Sequence, residues 1–195
     1  LHRVDRRQRQ MCIRDRLEVI KKIVSLCNEY DKPIGIVAGG HDKIPMKEIE
    51  GIMNEGFSFI SLYDKHMNPL IFNKDIYRMV AIDNNYKLEY VKAYDELPID
   101  VLECSIMDPE TYGDELTVRE ILQYQSIRST TSKPMVIPTQ RNITPEQVLI
   151  LQEMGINAIM IGAIVTGKTK DSIYESTLKY RNMIDNFNSE RVINE

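Results

Sequence analysis

No stretch of the chain holds the roughly twenty consecutive apolar residues that a bilayer crossing takes, so a membrane-spanning helix is excluded and no membrane partner is expected. Cysteine is scarce. Of the three, Cys12 sits in an aberrant N-terminal segment, and Cys27 and Cys104 offer no metal-ligand spacing. A reduced, cytoplasmic compartment is therefore the expectation. No signal peptide is visible, although a chain that has lost its beginning would show none. No linker rich in Pro, Gly or Ser divides the sequence, so residues 17–195 read as one domain.

Residues 1–16 carry six arginines and two aspartates, with neither a helical nor a strand period. One reading is a disordered basic arm for nucleic acid. A second comes from the codons: Arg6 to Asp15 can be written CGT CGG CAG CGT CAG ATG TGT ATA AGA GAC, which matches a widely used transposase sequencing adapter. On that reading residues 1–16 are a non-native, disordered addition to a metagenomic fragment and stand outside the fold. They contribute +4 to a net charge of −4, so the body carries about −8. An acidic body argues against a nucleic-acid binder and for a protein that meets its ligands with local positive features. Leu17 is then not a natural start, and up to two βα units with their catalytic groups are expected upstream.

Within the body, short β-rich apolar runs recur at Ile34–Ala38, Phe57–Tyr63, Met79–Asp83, Val101–Ile106, Met135–Pro138 and Ala158–Ile164. Their starts fall 22 or 23 residues apart, except for one longer step across residues 101 to 135. That spacing fits a strand, a loop, a three-turn helix and a tight return, hence consecutive βα units and a parallel sheet. The segments between show helical stripes, such as Ile44, Ile49, Ile52 and Met53. Leu116–Ser132 predicts a longer helix with Asp114 and Thr117 as candidate caps, and Ser172–Phe187 the last one. Ile44, Ile49, Ile52 and Gly56 match Ile143, Val148, Leu151 and Gly155 at a constant offset of 99, and a Lys-Pro precedes the strand in both copies. Repeated units suit an N-terminally truncated (β/α)8 barrel of about six parallel βα units; a doubly wound open sheet is the alternative.

Gly162-Ala-Ile-Val-Thr-Gly167-Lys168-Thr169 follows a strand, precedes a helix and satisfies G-x-x-x-x-G-K-T. Taken literally it is a Walker A loop, with Lys168 reaching phosphates and Thr169 binding Mg²⁺. Few residues follow it, however, and Ala-Ile-Val is bulky for a phosphate cradle, so a P-loop NTPase is disfavoured. In a barrel the same atoms serve differently. The last two βα loops and an adjacent helix N-terminus present unpaired N–H groups, and the helix dipole adds about half a positive charge. Gly162 and Ala163 then end the last strand, and Thr139, Gln140 and Arg141 the one before it.

The stretch from Pro134 to Thr166, with Ile-Thr-Pro-Glu-Gln opening a helix, then Met-Gly-Ile-Asn-Ala and Ile-Met-Ile-Gly-Ala, resembles the C-terminal quarter of phosphate-binding barrels such as indole-3-glycerol-phosphate synthase and its relatives. The resemblance implies phosphate binding by Gly162, Ala163 and the loop at Thr139. Such relatives carry a glycine-rich turn where this chain has Thr-Gln-Arg. Arg141 could replace the missing backbone donors with a bidentate grip, or be a surface residue paired with an acid.

Catalytic candidates lie at the other strand ends, because only that face of a barrel gathers several loops around one ligand. They are Gly39, Gly40, His41 and Asp42; Asp64, Lys65 and His66; Asp83 and Asn84; then Glu103, Ser105 and Asp108. Val101, Glu103 and Ser105 share one face of their strand. If the other face packs on helices, Glu103 points into the barrel, either poised as a general acid or base or satisfied by a cation. Asp83 is a second proton carrier or a helix cap. His41, His66 and Asp83 could hold a divalent cation. No lysine falls inside a predicted strand, which disfavours imine chemistry. The polar run Met107–Leu116 is a candidate lid or, equally, an exposed loop with no such role.

The leading expectation is an isomerase or carbon–carbon lyase of a small phosphorylated metabolite, with Glu103 and Asp83 moving protons, His41 or His66 polarising oxygen, and Thr139, Gln140, Arg141, Gly162, Ala163 and Gly167 around the phosphate. An FMN-dependent oxidoreductase and a non-catalytic metabolite-binding barrel are the alternatives. A cofactor, divalent metal or FMN, and homo-oligomerisation stay open.

Overall fold

The computed structural model describes residues 6–38 and 43–194. The chain forms two compact units, Leu1–Arg78 and Met79–Glu195. Their boundary falls inside a strand, in keeping with the absence of any linker composition.

In the first unit, helix α1 (Arg6–Glu29) leads to β1 (Gly35–Val37), α2 (Met46–Asn54) and β2 (Phe59–Tyr63). Residues 6–16 form the first turns of this helix, and residues 1–5 lie outside the described residues. Neither proline nor glycine interrupts Arg6–Glu29, and Arg, Gln, Met and Leu are strong helix formers, so the backbone carries straight through. A non-native origin of the segment stands as a proposal. Strands β1 and β2 pair in parallel with Gly35 opposite Phe59, over a core that includes Ile44, Ile49, Ile60, Leu62 and Ile71.

The second unit takes in β3 (Tyr77–Ile82) from Met79 onward, then β4 (Val101–Cys104), β5 (Met135–Pro138) and β6 (Ala158–Met160), each parallel to the next. The crossovers are α3 (Leu88–Val91) with a 3-10 turn at Lys92–Glu96, α4 (Val118–Arg128) and α5 (Pro145–Glu153); α6 (Ala163–Thr166) and α7 (Lys170–Asn194) follow β6. Thr117 and Glu120 cap α4 reciprocally, and Thr144 and Gln147 do the same for α5. Leu102, Tyr124, Ile127, Met135, Ile137 and Leu151 are fully buried between sheet and helices. Helix α7 packs on α5 and α6. No described helix is long and apolar enough to cross a membrane.

The repeat at offset 99 is real in three dimensions. Ile44 and Ile143, and Ile49 and Val148, are buried equivalents, and Gly56 and Gly155 end their helices at φ of +90° and +84°. Two residues further on, Ser58 and Asn157 play one role. Ser58 Oγ accepts from the Ile34 amide at 3.3 Å, and Asn157 Oδ1 from the Met135 amide at 2.9 Å. Each residue's own amide returns a bond to the same partner's carbonyl.

One boundary differs from expectation. The last strand stops at Met160 and Ala163 begins a helical turn, where the sequence predicts strand through Ile164. Its partner β5 ends at Pro138, opposite Met160. Beyond that point the Thr139 hydroxyl, not a ladder carbonyl, takes the Gly162 amide, and the Val165 and Thr166 amides turn back onto the Gly162 carbonyl.

Candidate functional site

The C-terminal ends of β5 and β6 meet through one hydrogen bond: the Gly162 amide donates to Thr139 Oγ1 at 2.8 Å. The same hydroxyl donates to the Met160 carbonyl at 3.3 Å, so buried Thr139 is fully engaged and braces the two strand ends. Gly162 and Ala163 are exposed. A Cβ built on Gly162 would meet only Thr139 Oγ1, at 3.7 Å, so the space above this backbone is open. The amides of Ala163 and Ile164, at the start of α6, have no backbone partner among the described residues. Donors of this kind suit an anion.

Gly167 does other work. Its amide is spent on the Ala163 carbonyl at 3.0 Å, and at φ +69° it reverses the chain after α6, where a Cβ would come within 2.8 Å of Ser172 Oγ. Thr169 and Ser172 then bond reciprocally at the start of α7. The residues of the Walker-like pattern thus form a helical turn and a cap.

Gln140 and Arg141 face the loop between β4 and α4. The Met107 amide donates to Gln140 Oε1 at 3.1 Å, and since an amide can only donate, this fixes which end of the side chain is oxygen. Gln140 Nε2 therefore donates to Ser105 Oγ, at 2.8 Å, and to the Tyr112 hydroxyl. The Gly113 amide adds a bond to the Gln140 carbonyl at 2.8 Å. Arg141 Nη1 donates to the Thr111 carbonyl at 2.6 Å and reaches Asp114 at 3.3 Å, while Nη2 reaches Glu120 at 2.9 Å. Its Nε is buried and has no hydrogen-bond partner among the described residues. Arg141 is thus paired with two acids, and it is buried where the sequence alternative had it at the surface. The run Met107–Leu116, read from sequence as either a lid or an exposed loop, is stitched down by both residues and contains a 3-10 turn capped by Asp108.

Glu103 and Ser105 are buried polar residues, alternating with fully or nearly fully buried Leu102, Cys104 and Ile106. Glu103 stands opposite Ala81 and Val136 in the neighbouring strands. Burial, and secondarily the Glu103 charge, pushes the Cys104 thiol up to about 12, which keeps it an inert core group. Asp83 follows β3 and accepts from the Asn85 amide at 2.9 Å, an Asx turn ahead of α3 whose N-cap is Lys87. At Glu120 burial raises the carboxyl pKa, but hydrogen bonds from the Thr117 side chain and amide, together with Arg141, outweigh it and hold the group below its ordinary value.

In the first unit, His66 follows β2, half-buried, with its ring edge-on to Tyr63 at 6.1 Å. Lys65 lies over the same Tyr63 ring at 5.4 Å. His41, with Gly39, Gly40 and Asp42, lies outside the described residues. Among the described residues no group of three His, Cys, Asp or Glu side chains is arranged to hold a metal ion.

The sequence reading missed Tyr112 and Glu120 as partners of the site. Nothing in local spacing links Tyr112 to Gln140. Glu120 had a signal, because Thr117-x-x-Glu120 is a capping box written in the sequence.

No protein family and no curated protein matches the sequence. Solved structures do match. The chain is similar to 3-hexulose-6-phosphate synthase from Salmonella typhimurium, with TM-score 0.58 and 14% identity over 85% of this chain and 80% of that one. It is similar to the tryptophan synthase A-subunit of Pyrococcus furiosus, with TM-score 0.59 and 13% identity over 89% and 74%. A third is the N-acetylmannosamine-6-phosphate 2-epimerase of Clostridium perfringens, with TM-score 0.54 and 20% identity over 73% and 69%. The fold is that of a (β/α)8 barrel, of which this chain supplies six βα units. In a barrel of this kind the ends of β5 and β6, where Thr139 meets Gly162, belong to the face that carries ligand sites.

Proposed function

We propose that the chain belongs to an enzyme of small phosphorylated metabolites, an isomerase or carbon–carbon lyase that works by proton transfer next to a carbonyl. The observation that carries this reading is the Gly162–Thr139 bond, which brings two adjacent C-terminal strand ends together beneath an exposed glycine and two unspent amides. The phosphate would sit against Gly162, Ala163 and Ile164, with Thr139 as the brace behind them. Gln140 and Arg141 would serve the wall of the site, and Gly167 the turn beneath it. Glu103 lies on the same strand face as Ser105, two residues or roughly 6–7 Å deeper, and would move the proton; Asp83 continues β3 into register beside Ser105 and is the second candidate. Support comes from the barrel neighbours, two of which are named for phosphorylated compounds, and from the local likeness of residues 134–166 to indole-3-glycerol-phosphate synthase.

Titration with inorganic phosphate, followed by amide NMR of the ¹⁵N-labelled chain, tests the reading. Saturable shifts centred on Gly162, Ala163 and Ile164 are expected. Shifts spread over surface lysines, or none at millimolar phosphate, overturn it.

A further inference from the structure

Residue 140 holds the loop after β4 by four bonds: three through its side chain, to Met107, Ser105 and Tyr112, and one through its carbonyl, to Gly113. Two of the four converge on the dipeptide Tyr112-Gly113, at the tip of that loop. The attachment point lies one residue along the chain from Thr139, the brace under Gly162. Tyr112 nevertheless stays 43% exposed. Its hydroxyl is tethered while the residue keeps that exposure, an arrangement that lowers the conformational cost of offering an aromatic wall to a ligand. Tyr90 and Tyr174 of the same unit are exposed as well, and Tyr124 and Tyr180 are buried; what sets Tyr112 apart is its hydroxyl held by a buried side chain that also ties down the neighbouring loop. The Gln140 side chain is itself 6% exposed and every one of its polar atoms is used on this loop, so it is spent on positioning.

We propose that Tyr112, positioned by Gln140, is a specificity-determining residue that contacts the carbon skeleton of the ligand whose phosphate sits at Gly162, and that the ligand is a phosphorylated polyol or keto-sugar large enough to reach it. The inference rests on the phosphate reading above and adds to it a second contact point and a minimum ligand size. Arg141 strengthens the arrangement from behind, since its bonds to Thr111 and Asp114 flank Tyr112-Gly113 on both sides.

The test compares two probes, inorganic phosphate and fructose 6-phosphate, by calorimetry on the whole chain and on Tyr112→Ala, Tyr112→Phe and Gln140→Ala. Wild type should bind fructose 6-phosphate about tenfold or more tighter than phosphate. Tyr112→Ala should erase that advantage and leave the phosphate affinity within about twofold. Tyr112→Phe keeps the ring and loses the tether, and should retain part of the advantage with an almost unchanged melting point; Gln140→Ala should follow it in the affinity ratio, which a merely structural glutamine would leave unmoved. If Gln140→Ala fails to fold, Tyr112→Phe still reports on the tether. A sugar-phosphate advantage that survives Tyr112→Ala overturns the inference alone, as does wild type binding both probes equally. Failure of wild type to bind either probe overturns the phosphate reading and this inference together.

Discussion

Arg141 Nη2 lies 2.9 Å from the Glu120 carboxylate, and both side chains are almost wholly enclosed, at 11% and 6% exposure. This pair joins the loop after β5 to the first turn of α4, while Nη1 of the same arginine holds the Thr111 carbonyl. Removing one partner would strand the other as a buried charge, which costs about 3–5 kcal/mol. For a chain of this size that corresponds to a fall in melting temperature of roughly 6–20 °C. Arg141→Met should show it in a thermal melt followed by circular dichroism. Adding Glu120→Leu should recover part of the loss, because an apolar pair of similar volume replaces the ion pair. A melt left unchanged by Arg141→Met, with phosphate affinity lost, would instead make Arg141 a ligand group.

Gly162 and Gly167 lie five residues apart in sequence and should respond oppositely to alanine. At Gly162 the backbone is extended, with φ −119°, and a methyl group meets nothing closer than 3.7 Å. Gly162→Ala should therefore cost at most about 1 kcal/mol in helix capping, while its methyl occupies the space a phosphate needs and lowers phosphate affinity about tenfold or more. At Gly167 the backbone is left-handed and the methyl would press on Ser172 at 2.8 Å. Gly167→Ala should lower stability by about 1–2 kcal/mol or more. Paired melts and phosphate titrations read both effects.

What the sequence disclosed follows from the range of the forces involved. The βα units were legible because their signals are local: an apolar run, a helical stripe, and a glycine at the helix end. The repeat at offset 99 extends to Ser58 and Asn157, a correspondence with no residue identity to betray it, since a hydroxyl and a carboxamide serve equally as acceptor. The Thr139–Gly162 junction was within reach because both residues end predicted strands. The engagement of Gln140 and Arg141 was beyond reach because it depends on how a loop some thirty residues upstream folds back, and no period in the sequence records that.

Asp95 supplies an acid-sensitive contribution at the strand-entry end of the second unit. Its carboxylate accepts from the Thr131 hydroxyl, from the Ser132 amide at 3.1 Å and from Lys92 at 3.1 Å. The Thr131 bond is the largest influence on its pKa; burial opposes it, and the net effect is to hold the carboxyl well below its ordinary value of 3.8. A depressed folded pKa means stability that is complete above the unfolded value and is lost as pH falls through the folded one. Wild type should therefore be more stable than Asp95→Asn at pH 5–7, and the gap should narrow as the pH drops below about 3.8. Urea midpoints of the two proteins across pH 2.5–7 check this; a gap that does not vary with pH would remove the charge from the explanation.

Glu103 offers the sharpest separation of chemistry from binding. It is 7% exposed, lies on the face of β4 that also carries Ser105, and stands between Ala81 and Val136. Glu103→Gln preserves the shape of the side chain and removes its ability to take a proton, so the phosphate affinity should stay within about twofold. Exchange of deuterium from solvent into the carbon next to the carbonyl of fructose 6-phosphate, followed by proton NMR, reads proton transfer without requiring the physiological substrate. Wild type should catalyse that exchange and Glu103→Gln should slow it by about 10²-fold or more, the range general acid–base groups supply. An exchange rate untouched by Glu103→Gln would pass the role to Asp83, where Asp83→Asn should then show the loss.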